Sequence, residues 1–482
     1  MIDLKGINYT YPHTTRGALQ DISISIPKGR CVMVTGPSGS GKTTLCLATA
    51  GVLHHEYGGK KAGKVFIDGE DVASFADLSE VARKIGIVFD DPESQMIFTT
   101  VEEEILSALE HRGLEAAVIE ARLKEVLELT HLTELRERSP HNLSGGQKQR
   151  AALAATLALG NEILILDEPT SELDERATRD IVRTLSNLKA MGRTILVVEH
   201  KYSPFAGLID ELIVMEEGKI IAAGEPNAVL ADPSVRHIVI PDFSGLVSCE
   251  SPDIQPCGSA SPPVISVSNL SYAYGGIPAL MDVSLEICAG EFVAIVGENG
   301  SGKTTLIKQF NNLLIPDSAM VRILGTDTRT CTISDLAKHV GLVFQNPDHM
   351  FFADTIAEEV AFGPRNLGLT VAASDIDAVL KEVSLSDKRD LYPRWLSRGE
   401  RQRLAIACVL AMQPDIIVLD EPTTGLDGNE SRLVMEVLKR LQGKGRTIVI
   451  ITHNPEIATH CADRVISMDK GRIVSDTANG RV

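Results

Sequence analysis

Apolar residues in this chain gather in short unbroken runs: "CVMVTG" (31–36), "ILILD" (163–167) and "TILVVEH" (194–200). Continuous Val, Ile and Leu without alternation predicts parallel strands buried on both faces, with helices packed between them. "LEAAVIEARLKEVLEL" (114–129) spaces its apolar residues three to four apart and predicts an amphipathic helix. "ELIVMEEGKIIAAG" (211–224) reads as two strands around a turn, and "RVISMDKGRIVSD" (464–476) has the same pattern. Each half is therefore expected to be α/β, with a helical insert around 90–150 and 345–400.

The halves are copies. "GPSGSGKTTL" (36–45) recurs as "GENGSGKTTL" (297–306), "ILILDEPTSELD" (163–174) as "IIVLDEPTTGLD" (416–427), and "TILVVEH" as "TIVIITH" (447–453). The offset is 261 residues at Lys42/Lys303 and 253 at Ser144/Ser397, with the order of motifs kept. Units this long are duplicated domains and not solenoid repeats. The Pro-, Ser- and Gly-rich stretch 241–263 predicts a linker between a domain at 1–240 and another at 264–482. Such a tether favours pairing of the halves within one chain.

Composition narrows the function. The 482 residues are 44% hydrophobic and 23% charged, as in ordinary globular protein. No apolar run approaches the ~18–20 residues of a membrane span, and the N-terminus lacks a signal-peptide pattern. The chain is expected to stay in the cytoplasm, free to dock on an integral protein. A net charge of -18 argues against nucleic acid as the main partner. The cysteines form no C-x-x-C pair, so reduced thiols are expected, with neither a disulfide framework nor a zinc site.

The pattern G-x-x-x-x-G-K-[ST] occurs at 36–43 and 297–304. Its glycines let backbone N–H groups turn inward as an anion nest at a helix N-terminus. Gly36, Pro37, Ser38, Gly39, Ser40, Gly41, Lys42, Thr43 and Thr44 form the first candidate phosphate loop. Gly297, Glu298, Asn299, Gly300, Ser301, Gly302, Lys303, Thr304 and Thr305 form the second. The lysines would reach the β- and γ-phosphates, and Thr43 and Thr304 would ligate Mg²⁺. Apolar strands then end in Asp167-Glu168 and Asp420-Glu421. The aspartate of each pair suits Mg²⁺, and the glutamate suits a general base that polarises the attacking water. His200 and His453 close later strands and are expected to contact the γ-phosphate. Tyr11 and Tyr274 either stack on adenine or pack beneath a loop; both readings stay open.

Phosphate loop, "LSGGQ", "LDEPT", "LD" and a strand-ending histidine, in that order and twice over, resemble the nucleotide-binding domains of ABC-type ATPases. The resemblance implies two tandem P-loop NTPase domains, each a mainly parallel sheet with an antiparallel β subdomain and a helical insert. It further implies head-to-tail pairing, with each ATP held between one half's phosphate loop and the other's signature. The segment 341–369, "GLVFQNPDHMFFADTIAEEVAFGPRNLGL", is similar to ATPases of energy-coupling-factor importers, and 86–114 follows it less closely. That resemblance implies a peripheral ATPase on the cytoplasmic face of the membrane. It would drive an integral coupling protein and a substrate-binding membrane protein. Segments 90–98 and 345–352 would line grooves for the partner's helices, with Glu93 and Asp348 among the contacts. A tandem sugar-importer ATPase is an alternative, as is an ABC-type ATPase acting on ribosomes. The acidic composition and the linker disfavour the ribosomal reading.

Head-to-tail pairing would make two unlike sites. The first joins Lys42, Asp90, Asp167, Glu168 and His200 to Ser397, Arg398, Gly399 and Glu400. The second joins Lys303, Gln345, Asp420, Glu421 and His453 to Ser144, Gly145, Gly146 and Gln147. In the resembled family, Asp90 and Gln345 stand where a metal-site glutamine is usual. All departures from the family pattern fall in the first site. Arg398 would obstruct backbone approach to the phosphate or, bent back, offset the charge that Glu400 and Asp90 add. The second site is expected to hydrolyse ATP faster; tolerated drift with two competent sites is the alternative.

Overall fold

Unbroken apolar runs become the interior strands of two central sheets. The computed structural model describes residues 1–12, 14–110, 115–171, 173–241, 243, 262–316 and 320–479. Contacts divide the chain into Met1–Pro241 and Asp242–Val482. The expected linker lies almost wholly outside the described residues, as does residue 114 at the start of the predicted helix, which runs Ala116–Leu129.

In the first unit the six-stranded sheet runs Lys219–Gly224, Glu211–Glu216, Cys31–Thr35, Thr194–Val198, Ile163–Asp167, Ile85–Val88. All neighbours are parallel except the first pair. The second unit has the same order: Arg472–Ala478, Arg464–Asp469, Phe292–Val296, Thr447–Ile451, Ile416–Asp420, Val340–Val343. Strands Cys31–Thr35, Ile163–Asp167 and Thr194–Val198 are buried at every position, which is why their sequences lack alternation. A four-stranded antiparallel sheet accompanies each, beginning with Ile2–Thr10 and Ile265–Tyr274. There alternation returns, with one face buried and the other exposed.

The register positions the chemistry. Asp167 pairs with Val198, and Val34 pairs with the same residue from the other side. In the second unit Asp420 and Ile295 both pair with Ile451. The phosphate loop, the acid pair and the histidine thus emerge from the same end of adjacent parallel strands, where open α/β sheets bind ligands.

The helical insert of each unit comprises three main helices: Val101–Glu110, Ala116–Leu129 and Gly145–Ala158, then Ile356–Asn366, Ala373–Glu382 and Arg398–Leu410. The loop entering it hangs on a buried glutamate. Glu104 accepts the backbone N–H groups of Ile97 and Phe98, both at 2.9 Å, and Glu359 accepts those of Phe352 and Ala353, both at 2.7 Å. Clamped this way, the loop presents Ile97 (83% exposed) and Phe352 (72%) to solvent. Among the described cysteines Cys31, Cys46, Cys331, Cys408 and Cys461 are free, but Cys288 is disulfide-bonded, so the all-thiol expectation fails there. No described helix is long and apolar enough to cross a membrane.

The clamp yields a prediction. Glu359→Ala leaves two partly buried N–H groups without their acceptor, a loss of about 1 kcal/mol. Amide exchange at 352–353 should quicken several-fold, while Phe292–Val296 keeps its protection. Unchanged exchange at 352–353 would show that the clamp does not order the loop.

Candidate functional site

Each phosphate loop is shaped by backbone contacts that only glycine permits. A Cβ on Gly36 would stand 2.0 Å from the Met215 carbonyl oxygen, and one on Gly41 2.4 Å from that of Ala18. Gly297 and Gly302 meet the carbonyls of Met468 and Ala279 in the same way. The loop is thus pinned between the neighbouring strand and the antiparallel sheet. Lys42 Nζ donates to the carbonyls of Gly36 and Pro37, both at 2.9 Å; Lys303 donates to Gly297 and Glu298, both at 2.8 Å. Both lysines are 5% exposed, so each holds its positive charge inside the curl where an anion would sit.

Asp167 is 1% exposed, with the Thr43 hydroxyl beside it but off the geometry of a full hydrogen bond to either carboxylate oxygen. Burial, with the nearby charges of Glu168 and Asp90, pushes this carboxyl up to about 7; the Thr43 hydroxyl and Lys42 only temper the rise. In the second unit Thr304 Oγ1 donates to Asp420 Oδ2 at 2.9 Å, Oδ1 is unpartnered, and burial again raises the carboxyl. Orphaned buried carboxylate oxygens beside a threonine hydroxyl fit a hard divalent cation that prefers oxygen ligands.

Glu168 and Glu421 share a rare backbone conformation, φ 48 in each. Their N–H groups donate to the carbonyls of Val198 (2.9 Å) and Ile451 (3.1 Å), which holds the turn. His200 Nε2 lies 3.0 Å from Glu168 Oε1. His453 Nε2 lies 2.8 Å from Glu421 Oε1, a close contact off the line of a straight hydrogen bond. Glu421 also accepts from the Thr424 hydroxyl at 3.0 Å and from Gln345 Nε2 at 3.4 Å. Burial pushes the Glu421 carboxyl up, but His453 and Thr424 outweigh it and the net shift is downward, so the group is an anion at neutral pH. Thr424 was not foreseen from sequence.

Tyr11 and Tyr274 sit beside the phosphate-loop helices. The Tyr11 hydroxyl lies 3.2 Å from that of Thr44, and its ring meets Tyr9 edge-on. Tyr274 makes the matching contacts with Thr305, at 3.5 Å, and Tyr272.

The signature phrases are helix starts. Ser144 caps Gly145–Ala158 and Ser397 caps Arg398–Leu410, each through a capping box completed by Gln147 or Glu400. Exchanging Gln for Glu therefore leaves the cap intact. Glu400 was expected to add negative charge that Arg398 would offset if bent back; within this half the cation that meets it is Lys388, whose Nζ donates to its Oε1. Burial raises the Glu400 carboxyl, but Lys388 and the Ser397 N–H outweigh it and hold it below its usual range. Leu135 occupies the matching position in the first half.

Arg398 has also been accommodated. Its guanidinium lies over Gly425 of the same half; a Cβ there would stand 2.4 Å from Cζ. In sequence, the first half has Gly145 and Glu172 at the corresponding positions. Among the described residues nothing crowds Gly145, whereas a Cβ on Gly146 would stand 2.7 Å from that of Ala177, and one on Gly399 would press on the Glu430 side chain. Glu93 and Asp348, expected as partner contacts, also reach the signature helix of their own half while much of each side chain stays exposed. Glu93 pairs with Lys148, and Asp348 with Arg401 at 2.9 Å.

Lys388→Leu alone leaves the Glu400 charge without its partner and should cost about 1–2 kcal/mol of stability. Adding Glu400→Gln, which copies Leu135 and Gln147, should recover most of it. A double-mutant cycle by thermal unfolding checks this; additive losses would mean the two residues are independent.

Comparison with known proteins agrees with the geometry. The family described as ABC transporter matches twice, over residues 19–171 and 280–424. A protein of Methanosarcina mazei named "Putative ABC transporter ATP-binding protein" is 49% identical over 482 residues, covering 100% of this chain and 95% of its own length. A protein of the same name from Methanosarcina acetivorans is 48% identical, covering 99% of this chain and 90% of its own length. A solved structure of cbiO1 from Clostridium perfringens, described as part of the ABC transporter complex cbiONQ, is 33% identical with a TM-score of 0.43, covering 45% of this chain and 89% of that one. With its two phosphate loops, two acid pairs and two signature helices, this chain belongs to the ABC transporter family as a tandem ATP-binding protein, an ATPase.

Proposed function

We propose that the chain powers import through an energy-coupling-factor type of transporter, with ATP clamped between the phosphate loop of one half and the signature of the other. In this reading the site using Lys303, Glu421 and His453 turns over faster than the site using Lys42, Glu168 and His200. The observation that carries the inequality is the set of contacts on Glu421. Gln345 approaches it as a donor, whereas Asp90, a carboxylate, stands at the matching place in the first half. An ionised Glu421 takes the proton of the attacking water, and His453 lies within reach of a γ-phosphate oxygen. Lys303 and the inward N–H groups of its loop hold the triphosphate in line.

Thr43 with Asp167, and Thr304 with Asp420, are the residues that would hold Mg²⁺. The ion supplies charge neutralisation of the phosphate oxygens. Tyr11 and Tyr274 are proposed to flank the adenine, since their hydroxyls tie both rings to the loops that hold the phosphates.

The likeness of 341–369 to energy-coupling-factor ATPases supports the transporter type. Clamped, exposed Ile97 next to Phe98, and Phe352 against the exposed Phe362 ring at 5.7 Å, support docking on an integral membrane protein, because adjoining exposed apolar side chains mark interaction surfaces. Beside Ile97 the first half has a groove of about 250 Å³ lined by Gly86, Gln95, Glu104, Ala108 and Ala152, among others. It has the concave form that a helix from an integral partner would fill. We place the protein accordingly on the cytoplasmic face of the membrane, bound to a coupling protein and a substrate-binding membrane protein.

Two measurements test this. In steady-state ATPase assays of the transporter complex, Glu421→Gln should lower turnover by about 10²-fold, with a much smaller effect from Glu168→Gln. Equal losses would defeat the unequal-site reading. In pull-downs from detergent-solubilised membranes of the source cells, the chain should recover integral membrane proteins, and Ile97→Asp with Phe352→Asp should lose them. Recovery of ribosomes with no integral protein would overturn the transport reading.

A further inference from the structure

Glu199 stands where the second half has Thr452, one residue before the histidine. It is 1% exposed, and every contact it makes is specific. Oε2 accepts the Thr170 backbone N–H at 3.1 Å and the Thr170 hydroxyl at 2.7 Å; Oε1 accepts the His200 backbone N–H at 3.0 Å. Thr170 ends the turn that begins Asp167-Glu168, so a single buried side chain ties the acid turn to the strand end bearing the histidine. Burial, with the nearby charge of Glu168, raises the Glu199 carboxyl against the lowering effect of these hydrogen bonds, and the same burial removes the water that would compete for them.

The second half is tied differently. Thr452 Oγ1 accepts the Asn454 N–H at 3.0 Å, a bond confined to the histidine segment. Glu421 is steadied from its own turn by Thr424 and from the insert by Gln345. Both halves keep the backbone link, Glu421 N–H to Ile451 as Glu168 N–H to Val198, but Thr452 adds no side-chain tie between the acid turn and the histidine segment, whereas Glu199 does.

We infer that Glu199 is a positioning residue that locks Glu168 and His200 in their resting contact and thereby brakes hydrolysis at the site built on the first phosphate loop. Hydrolysis needs the carboxylate to turn toward water and the imidazole toward the γ-phosphate; the lock resists their separation. This rests on the proposed roles of Glu168 and His200. It adds a cause of inequality lying inside one half, independent of the signature edits.

The test uses the full chain in its membrane complex. In a Glu421→Gln background, turnover reports the first phosphate loop. There Glu199→Thr, copying the second half, should raise kcat by about threefold to tenfold with KM for ATP unchanged. In a Glu168→Gln background, Thr452→Glu should lower kcat. Glu199→Gln keeps the size but turns an NH₂ group against an N–H donor, and should fall between wild type and Glu199→Thr. A merely structural role would lower the melting temperature and leave kcat unchanged or reduced, and that result in a cooperatively folded Glu199→Thr protein overturns the inference. The unequal-site reading fails separately, on equal losses from Glu168→Gln and Glu421→Gln, whatever Glu199→Thr does.

Discussion

The backbone N–H of Glu168 donates to the carbonyl of Val198, and that of Glu421 to Ile451, each one step beyond the last parallel pair of its ladder. These bonds hold both glutamates at φ 48, a left-handed conformation costing about 1–2 kcal/mol for a residue with a Cβ. The strain persists because the surrounding ladder over-determines it. Its effect is to turn the carboxylate back toward the histidine that follows the neighbouring strand. Released into an extended conformation, the glutamate would continue the strand and carry its side chain away from the phosphate loop. The rest of the site is built around this bend: the glycine-pinned loop on one side, the orphaned aspartate beneath, the histidine beside it.

The two halves keep this bend and differ in what surrounds it. Gly to Arg and Gln to Glu in the second signature look like two losses, yet neither stands alone. Glu400 comes with Lys388 where the first half has Gln147 and Leu135, and Arg398 comes with Gly425 where it has Gly145 and Glu172. A new charge at a helix start is tolerated when a counter-charge lies within reach, and a long side chain when a backbone gives it a flat surface. Glu199 belongs to the same class of difference, a substitution whose meaning lies in what it touches.

Much of the fold was legible because its signals are local. Unbroken Val/Ile/Leu runs marked the interior strands, three-to-four spacing marked the helix at Ala116–Leu129, and the strand–turn–strand patterns at 211–224 and 464–476 appear as antiparallel pairs. The phosphate loops and acid pairs were legible for a similar reason: their chemistry demands a fixed spacing on a continuous stretch of chain. Thr424, three residues beyond Glu421, was close enough to find, but nothing in its identity distinguishes a hydroxyl on a carboxylate from one in solvent. The ion pairs of Glu93 and Asp348 within their own halves were not legible because their cations, Lys148 and Arg401, are more than fifty residues away in the chain.

By itself the sequence determined that there are two copies of one domain, where the main interior strands and the phosphate loops lie, and which acids and histidines end those strands. These follow from periodicity, repetition and backbone chemistry, which act between near neighbours in the chain. Only the tertiary structure decided which charges cancel and which hydroxyl or amide meets which carboxylate. It likewise decided that a single buried glutamate joins the acid turn to the histidine strand in one half alone. Such pairings depend on distances of about 3 Å between side chains remote in sequence, and those distances exist only once the sheet has brought its strands into register.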